Sequence, residues 1–194
     1  MQNFEFKNLS EENYKTRYRH IIAPTLQKKH NIKNVHAIPY LDKIVLNVRV
    51  GKAKIIGGST TEKQKKPLEK LLDNFTLIAG QKPVSCAASC SVSNFKIREG
   101  DIVGMKVTLR KEKMYSFLEK LVMIAFPRSR NFKPFKSTSI DKNGNFTLTV
   151  KGSEVFPEGE MTVSYPISVV LVLKNIKNKE QAIDLLREFY IPIN

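Results

Sequence analysis

The stretch Lys43-Ile-Val-Leu-Asn-Val-Arg-Val50 alternates without a break. Successive side chains of a β-strand point to opposite faces, so Ile44, Leu46, Val48 and Val50 share one side and Lys43, Val45, Asn47 and Arg49 the other. The spacing predicts a half-buried strand with one face in a core and one face carrying long polar groups. Ile102 to Arg110 repeats the pattern, with Val103, Met105, Val107 and Leu109 against Gly104, Lys106, Thr108 and Arg110. Asn145 to Lys151 does so again, with Phe146, Leu148 and Val150 inward and Thr147, Thr149 and Lys151 outward. Ile167 to Leu173 is apolar almost throughout and reads as a more buried strand.

The intervening segments have helical spacing. Leu68, Leu71, Leu72, Phe75, Ile78 and Ala79 predict a helix over 69–79 that ends at Gly80, a residue suited to a left-handed terminating position. Met114, Phe117, Leu118, Leu121, Val122 and Ala125 predict a second, halted by Pro127. Ser10 followed by Glu11 and Glu12 marks a helix start, with the helix running to about Lys29 and disturbed at Pro24. Glu180 to Tyr190 closes the chain as a helix. Strands and helices come in runs and not in strict alternation, which predicts an α+β fold: a largely antiparallel sheet, helices packed on one face, and an open polar face. No repeat or low-complexity linker divides the chain, so residues 10–194 read as one domain behind a short lead, residues 1–9.

The 194 residues have an ordinary globular balance, 41% hydrophobic and 26% charged. The charge is unusual: 33 Lys and Arg against 18 Asp and Glu leave +15. A polyanion is the expected partner. A membrane surface fits less well, because neither a basic amphipathic helix with large apolar residues opposite nor a lipidation signal is found. No segment approaches the roughly 20 apolar residues of a membrane span, and the N-terminus resembles neither a secretory signal nor an acid-poor transit peptide. The chain therefore reads as soluble and intracellular. With RNA as the polyanion, Asn47, Arg49, Lys106, Thr108, Arg110, Thr147, Thr149 and Lys151 supply cations for phosphate and directed hydrogen bonds for sugars and bases.

Motifs for catalysis are missing. Gly51 to Thr60 lies between a strand and a helix, as a phosphate-cradling loop does, but lacks the Gly-Lys-Ser/Thr ending and any G-x-G-x-x-G. Cys86 and Cys90 are the only cysteines and fit neither a zinc nor a redox spacing. His20, His30 and His36 read as surface histidines without a metal frame, and Glu154, Glu158 and Glu160 as a solvated turn. No enzyme, metal or cofactor is expected.

Eight segments in order carry a family likeness: Lys43–Ala53, Gly80–Pro83, Phe95–Gly100, Gly104–Arg110, Met114–Leu121, Pro127–Phe132, Gly144–Phe146 and Phe156–Glu158. Together they resemble the universal ribosomal protein L-five family, from about Tyr14 to the C-terminus. The resemblance implies a structural protein at the central protuberance of the large ribosomal subunit. It would bind 5S rRNA or an equivalent rRNA and lie near peptidyl-site tRNA, the small-subunit head and neighbouring ribosomal proteins. Positions matching the family's 5S-contacting residues are Asn47, Gln81, Thr108 and Arg110. Arg49, which stands where bacterial members carry glycine, and Lys82, Lys96, Arg98, Lys106, Arg128 and Arg130 are expected accessory phosphate contacts.

The family's tRNA-facing loop corresponds to Ser85, Cys86, Ala87, Ala88, Ser89, Cys90, Ser91, Val92, Ser93 and Asn94. Ala87, Ser89 and Cys90 stand where the family usually has cations, so electrostatic contact with tRNA is expected to be weak. These departures, with abundant Lys, Asn and Ile, suggest a mitochondrial matrix ribosome, with the bacterial cytoplasm as the alternative. A free basic RNA chaperone and a nucleotide-dependent enzyme are the rival readings.

Overall fold

The computed structural model describes residues 14–49, 62–95, 97–129, 132–158 and 164–194, and within these the side chains of 62–67 and 95 are left aside. The lead, the Ser10 helix start and the loop 51–60 lie outside the described residues. Five strands form one antiparallel sheet: β1 (Tyr40–Arg49), β2 (Val84–Ala87), β3 (Ile102–Leu109), β4 (Phe146–Val150) and β5 (Ile167–Lys174), in the order β2-β3-β1-β5-β4.

The alternating stretch that predicted the fold is the central strand. Ile44 stands opposite Leu109 and Leu171, Leu46 opposite Val107 and Val169, and Val48 opposite Met105 and Ile167. All nine are buried. Burying an aliphatic side chain of this size contributes about 1.5–3 kcal/mol relative to leaving it exposed, so this ladder of apolar pairs holds the register of three strands.

The helices cover that face. α1 (Tyr14–Arg17) passes through a π-helical turn, Tyr18–Ile22, into α2 (Ala23–Lys29). α3 (Glu62–Ala79) starts about two turns earlier than the apolar spacing suggested, because its first turns lack the apolar stripe from which the reading began. α4 (Lys111–Lys120) continues through a second π-helical turn, Leu121–Ala125, into α5 (Phe126–Arg128), and α6 (Lys179–Glu188) follows β5. Among the described residues no helix is long and apolar enough to cross a membrane.

The two π turns share a cause. Each lies immediately before a segment with proline in its first turn, Pro24 and Pro127. Proline has no N–H and its ring crowds the carbonyl four residues back. Widening the turn so that Ala23 N–H reaches Tyr18 O, and Phe126 N–H reaches Leu121 O, moves the backbone past that conflict. Pro127 therefore does not halt the helix as expected; the helix ends only at Arg128.

Three further expectations change. Val84–Ala87, read from sequence as loop, is the edge strand β2. The open face is not polar throughout, since Val45, Val170 and Val172 lie half-buried along its middle. His30 is not a free surface histidine: its Nε2 lies 2.9 Å from Asp184 Oδ2, while Lys29 Nζ lies 2.7 Å from Asp184 Oδ1, so α2 and α6 are joined by charge.

Gly104 in β3 marks a close approach that bears on the open face. It pairs with Arg49 on one side and Cys86 on the other, and a Cβ there would lie 2.9 Å from the Val48 carbonyl oxygen. That neighbour is backbone and cannot swing aside. Gly104→Ala is predicted to lower stability by about 1–3 kcal/mol, the usual penalty for forcing atoms into a packed site. Urea unfolding of the two proteins checks this, and an unchanged midpoint would show that β1 and β3 have room to spare.

Candidate nucleic-acid interface

Period-two alternation and the strand register together decide which outward residues meet. One row crosses all five strands: Val84, Lys106, Asn47, Ser168 and Thr149. With neighbouring strands about 4.8 Å apart, this row spans about 19 Å. The next row holds Thr108, Val45, Val170 and Thr147, and a third holds Cys86, Gly104 and Arg49. Lys106, Arg49 and Arg110 are exposed, while Asn47, Thr108 and Ser168 are half-buried. The result is a sheet face with cations and hydroxyls around half-buried valines. Such a surface offers phosphates a counter-charge, sugars and base edges hydrogen bonds, and ribose or base faces an apolar contact.

Gln81 joins this group through a turn. Gly80 adopts φ +64, which ends α3 in the left-handed region. Gln81 Nε2 then donates to the Thr108 carbonyl oxygen at 3.4 Å, which draws the Gly-Gln-Lys-Pro turn onto β3, with Lys82 exposed beside it. Asn47, Arg49, Gln81, Lys82, Lys106, Thr108 and Arg110 are thus gathered about one face or its rim, although they come from three separated stretches of chain.

Other expected residues do not gather there. Phe126 packs against Phe135 with ring centroids 5.5 Å apart, and Phe135 against Phe146 at 5.3 Å. Phe146 lies on the buried face of β4, so Arg128, two residues after Phe126, belongs to the helical side and not to the open face. Arg98 is exposed in the β2–β3 connection, its backbone N–H donating to Asp101 Oδ2 at 2.8 Å. Lys96 and Arg130 lie outside the described residues.

The expected loop over Ser85 to Asn94 divides. Ser85, Cys86 and Ala87 belong to β2, paired to β3. Ala88 to Asn94 folds back on the following residues: Ala88 N–H donates to Asp101 O at 2.9 Å, Gly100 N–H to Ala88 O at 3.0 Å, and Val92 forms an antiparallel bridge with Ile97. Glu99 N–H donates to Ser91 Oγ at 2.9 Å. Backbone hydrogen bonds therefore shape this hairpin-like extension, and Ala87, Ser89 and Cys90 are exposed on it. Cys86 and Cys90 are free thiols.

Sequence reasoning missed two charged groups beside Arg110. Asp42 Oδ2 lies 3.9 Å from Arg110 Nη1, and Asp42 Oδ1 lies 3.4 Å from Lys174 Nζ. The β1–β5 register shifts between Leu41 and Lys43, so Asp42 is an extra residue in β1. Alternation cannot reveal a bulge, and Lys174 lies 64 residues beyond Arg110 in a strand whose apolar run drew attention elsewhere.

Comparison with known proteins gives the family of the chain. The family model described as ribosomal protein L5 matches residues 34–98, and the model described as that ribosomal family's C-terminus matches residues 102–193. The large ribosomal subunit protein uL5 of Symbiobacterium thermophilum is 41% identical over 182 residues, which cover 93% of this chain and 97% of that protein. The uL5 of Lactobacillus johnsonii is 40% identical over 178 residues (91% and 94%), and that of Clostridium acetobutylicum 40% over 180 (92% and 96%). These relatives are bacterial and lend the mitochondrial expectation no support. The free-chaperone and enzyme readings give way as well. With both halves matched and relatives aligned along nearly their whole length, the chain belongs to the ribosomal protein L5 family, as a non-enzymatic structural protein of the large ribosomal subunit associated with rRNA.

Proposed function

We propose that this protein binds 5S rRNA, or the rRNA that takes its place, through the open sheet face at the central protuberance, near the peptidyl-site tRNA and the small-subunit head. The observation that carries the reading is the row Lys106, Asn47, Ser168 and Thr149, flanked by Arg49, Thr108 and Arg110, on a face that no helix covers among the described residues. The positions matched to the family's 5S contacts, Asn47, Gln81, Thr108 and Arg110, meet there. The bacterial relatives support a bacterial-type ribosome in the cytoplasm as the assembly it joins. Residues 10–194 act in this reading as one RNA-binding unit, with Lys96, Arg98, Arg128 and Arg130 as accessory phosphate contacts.

Arg110→Ala is predicted to weaken binding to 5S rRNA by about 1–3 kcal/mol, the range for losing a hydrogen bond to a charged partner. The fold should be unaffected, because the side chain is 57% exposed. Filter binding with a circular dichroism control measures this, and unchanged affinity removes Arg110 from the site.

Affinity is also predicted to fall steeply with salt. Each neutralised phosphate releases condensed counterions, so log affinity against log salt should have a slope of about −0.7 to −0.9 per contact. A flat line would mean that the +15 charge serves another purpose.

Within Ser85–Asn94, the uncharged side chains of Ala87, Ser89 and Cys90 leave shape and backbone hydrogen bonds as the means of touching tRNA. Ala87→Lys with Ser89→Arg and Cys90→Lys is predicted to slow tRNA dissociation from the peptidyl site at low salt and to do so less at high salt. Normal subunit assembly with unchanged dissociation would sink the electrostatic account.

A further inference from the structure

The carboxylate of Asp42 sits where an RNA-binding surface would be expected to exclude it. Leu41 pairs with Leu173 and Lys43 with Val172, so the bulge inserts Asp42 without a partner on β5. Its contacts, Arg110 and Lys174, both follow core-facing residues, Leu109 and Leu173, and so both belong to the open side. The bulge therefore turns an acid onto the face that carries Lys43, Arg110 and Lys174.

Exposure gives the depth of each group. The Asp42 side chain is 18% exposed, whereas Arg110 and Lys174 are 57% and 54% exposed. The carboxylate lies low, with the two cations reaching past it into solvent. At 3.9 Å the Arg110 contact is Coulombic and too long for a hydrogen bond, so the guanidinium keeps its donors for an incoming group. Ion pairs this exposed add little to stability, so stabilisation is a poor explanation for the arrangement.

We infer that Asp42 is a specificity-determining residue: it spaces Arg110 and Lys174 as two separate phosphate contacts and keeps phosphate out of the gap between them. This rests on the reading of the open face as the RNA surface. Without the acid, Lys43, Arg110 and Lys174 would form a cationic basin that attracts any phosphate. With it, a phosphate oxygen entering the gap meets like charge, and only a donor is accepted, such as a ribose 2′-hydroxyl or an exocyclic amine. Every RNA strand alternates phosphate and 2′-hydroxyl, so discrimination comes from the fold: an RNA whose tertiary structure holds a base amine between two phosphates at this spacing satisfies all three groups, and an RNA without that fold does not hold them together.

The full chain is tested against a 5S rRNA transcript from one of the bacterial relatives and a scrambled transcript of the same length. Asp42→Asn keeps the shape and removes the charge. It should raise affinity for the scrambled RNA by about threefold or more, the scale of removing one repulsive contact, with no gain for 5S rRNA. Asp42→Glu should retain discrimination. Asp42→Ser, which removes the charge with less bulk, should behave as the Asn variant does and serves if that variant misfolds. An equal gain for both RNAs, or no change in their ratio, overturns the inference. Failure of the wider reading looks different: Arg110→Ala and Asn47→Ala would then leave 5S affinity unchanged, whatever the Asp42 variants do.

Discussion

The structure depends on the burial of one face of β1 on both sides at once. Ile44, Leu46 and Val48 each meet an apolar partner on β3 and another on β5. Because the side-chain period of a strand is two, sliding either neighbour by one residue would turn Lys106 or Ser168 into the core and a buried aliphatic out to water. Several kcal/mol per misplaced pair oppose that slip. The same constraint that secures the core also decides the outward rows, so Asn47 stands between Lys106 and Ser168 for reasons unrelated to RNA. The outward face is thus what remains when the inward face is satisfied.

The helical layer shows how prolines are accommodated where a helix must continue. Both π turns come just before a proline, and in both the widened turn keeps buried residues, Ile22 in one and Leu121, Val122 and Ala125 in the other, directed at the core. The chain end is fastened separately. Phe135 N–H donates to Pro192 O at 2.8 Å and Asn194 N–H to Phe135 O at 2.9 Å, while Ile191 and Ile193 are buried. These bonds, with the tilted and edge-on ring contacts among Phe132, Phe126, Phe135 and Phe146, hold the segment after α5 against the far edge of the sheet.

Charge is distributed between two uses. In the helical layer acids meet cations in pairs: Lys15 with Glu112, Lys29 with Asp184 and Lys120 with Glu158. On the open face, among the described residues, Lys106 and Arg49 have no such partner, and the acid that does approach, Asp42, is shared by two cations. The excess positive charge is therefore available where the sheet is uncovered. These cations are carried by paired strands or their ends, so their backbones are ordered by the sheet.

Much of this was legible in the sequence because it is periodic. Alternation at Lys43–Val50, Ile102–Arg110 and Asn145–Lys151, and helical spacing at Leu68–Ala79 and Met114–Ala125, report local geometry, and local geometry alone sorts inward from outward residues. Asn47, Thr108 and Arg110 were identifiable as outward residues on that basis, and net charge pointed to a polyanionic partner. What periodicity cannot report is which strand lies beside which. β2 is four residues long and was hidden in a loop, the valine centre exists only because β5 lies next to β1, and the Asp42 bulge appears only when two strands are compared residue by residue. Sequence by itself determined the two faces of each element, since that follows from bond geometry over a few residues. Tertiary structure decided neighbours, register and the meeting of Asp42 with Arg110 and Lys174, since those follow from satisfying backbone hydrogen bonds and core volume between segments far apart in the chain.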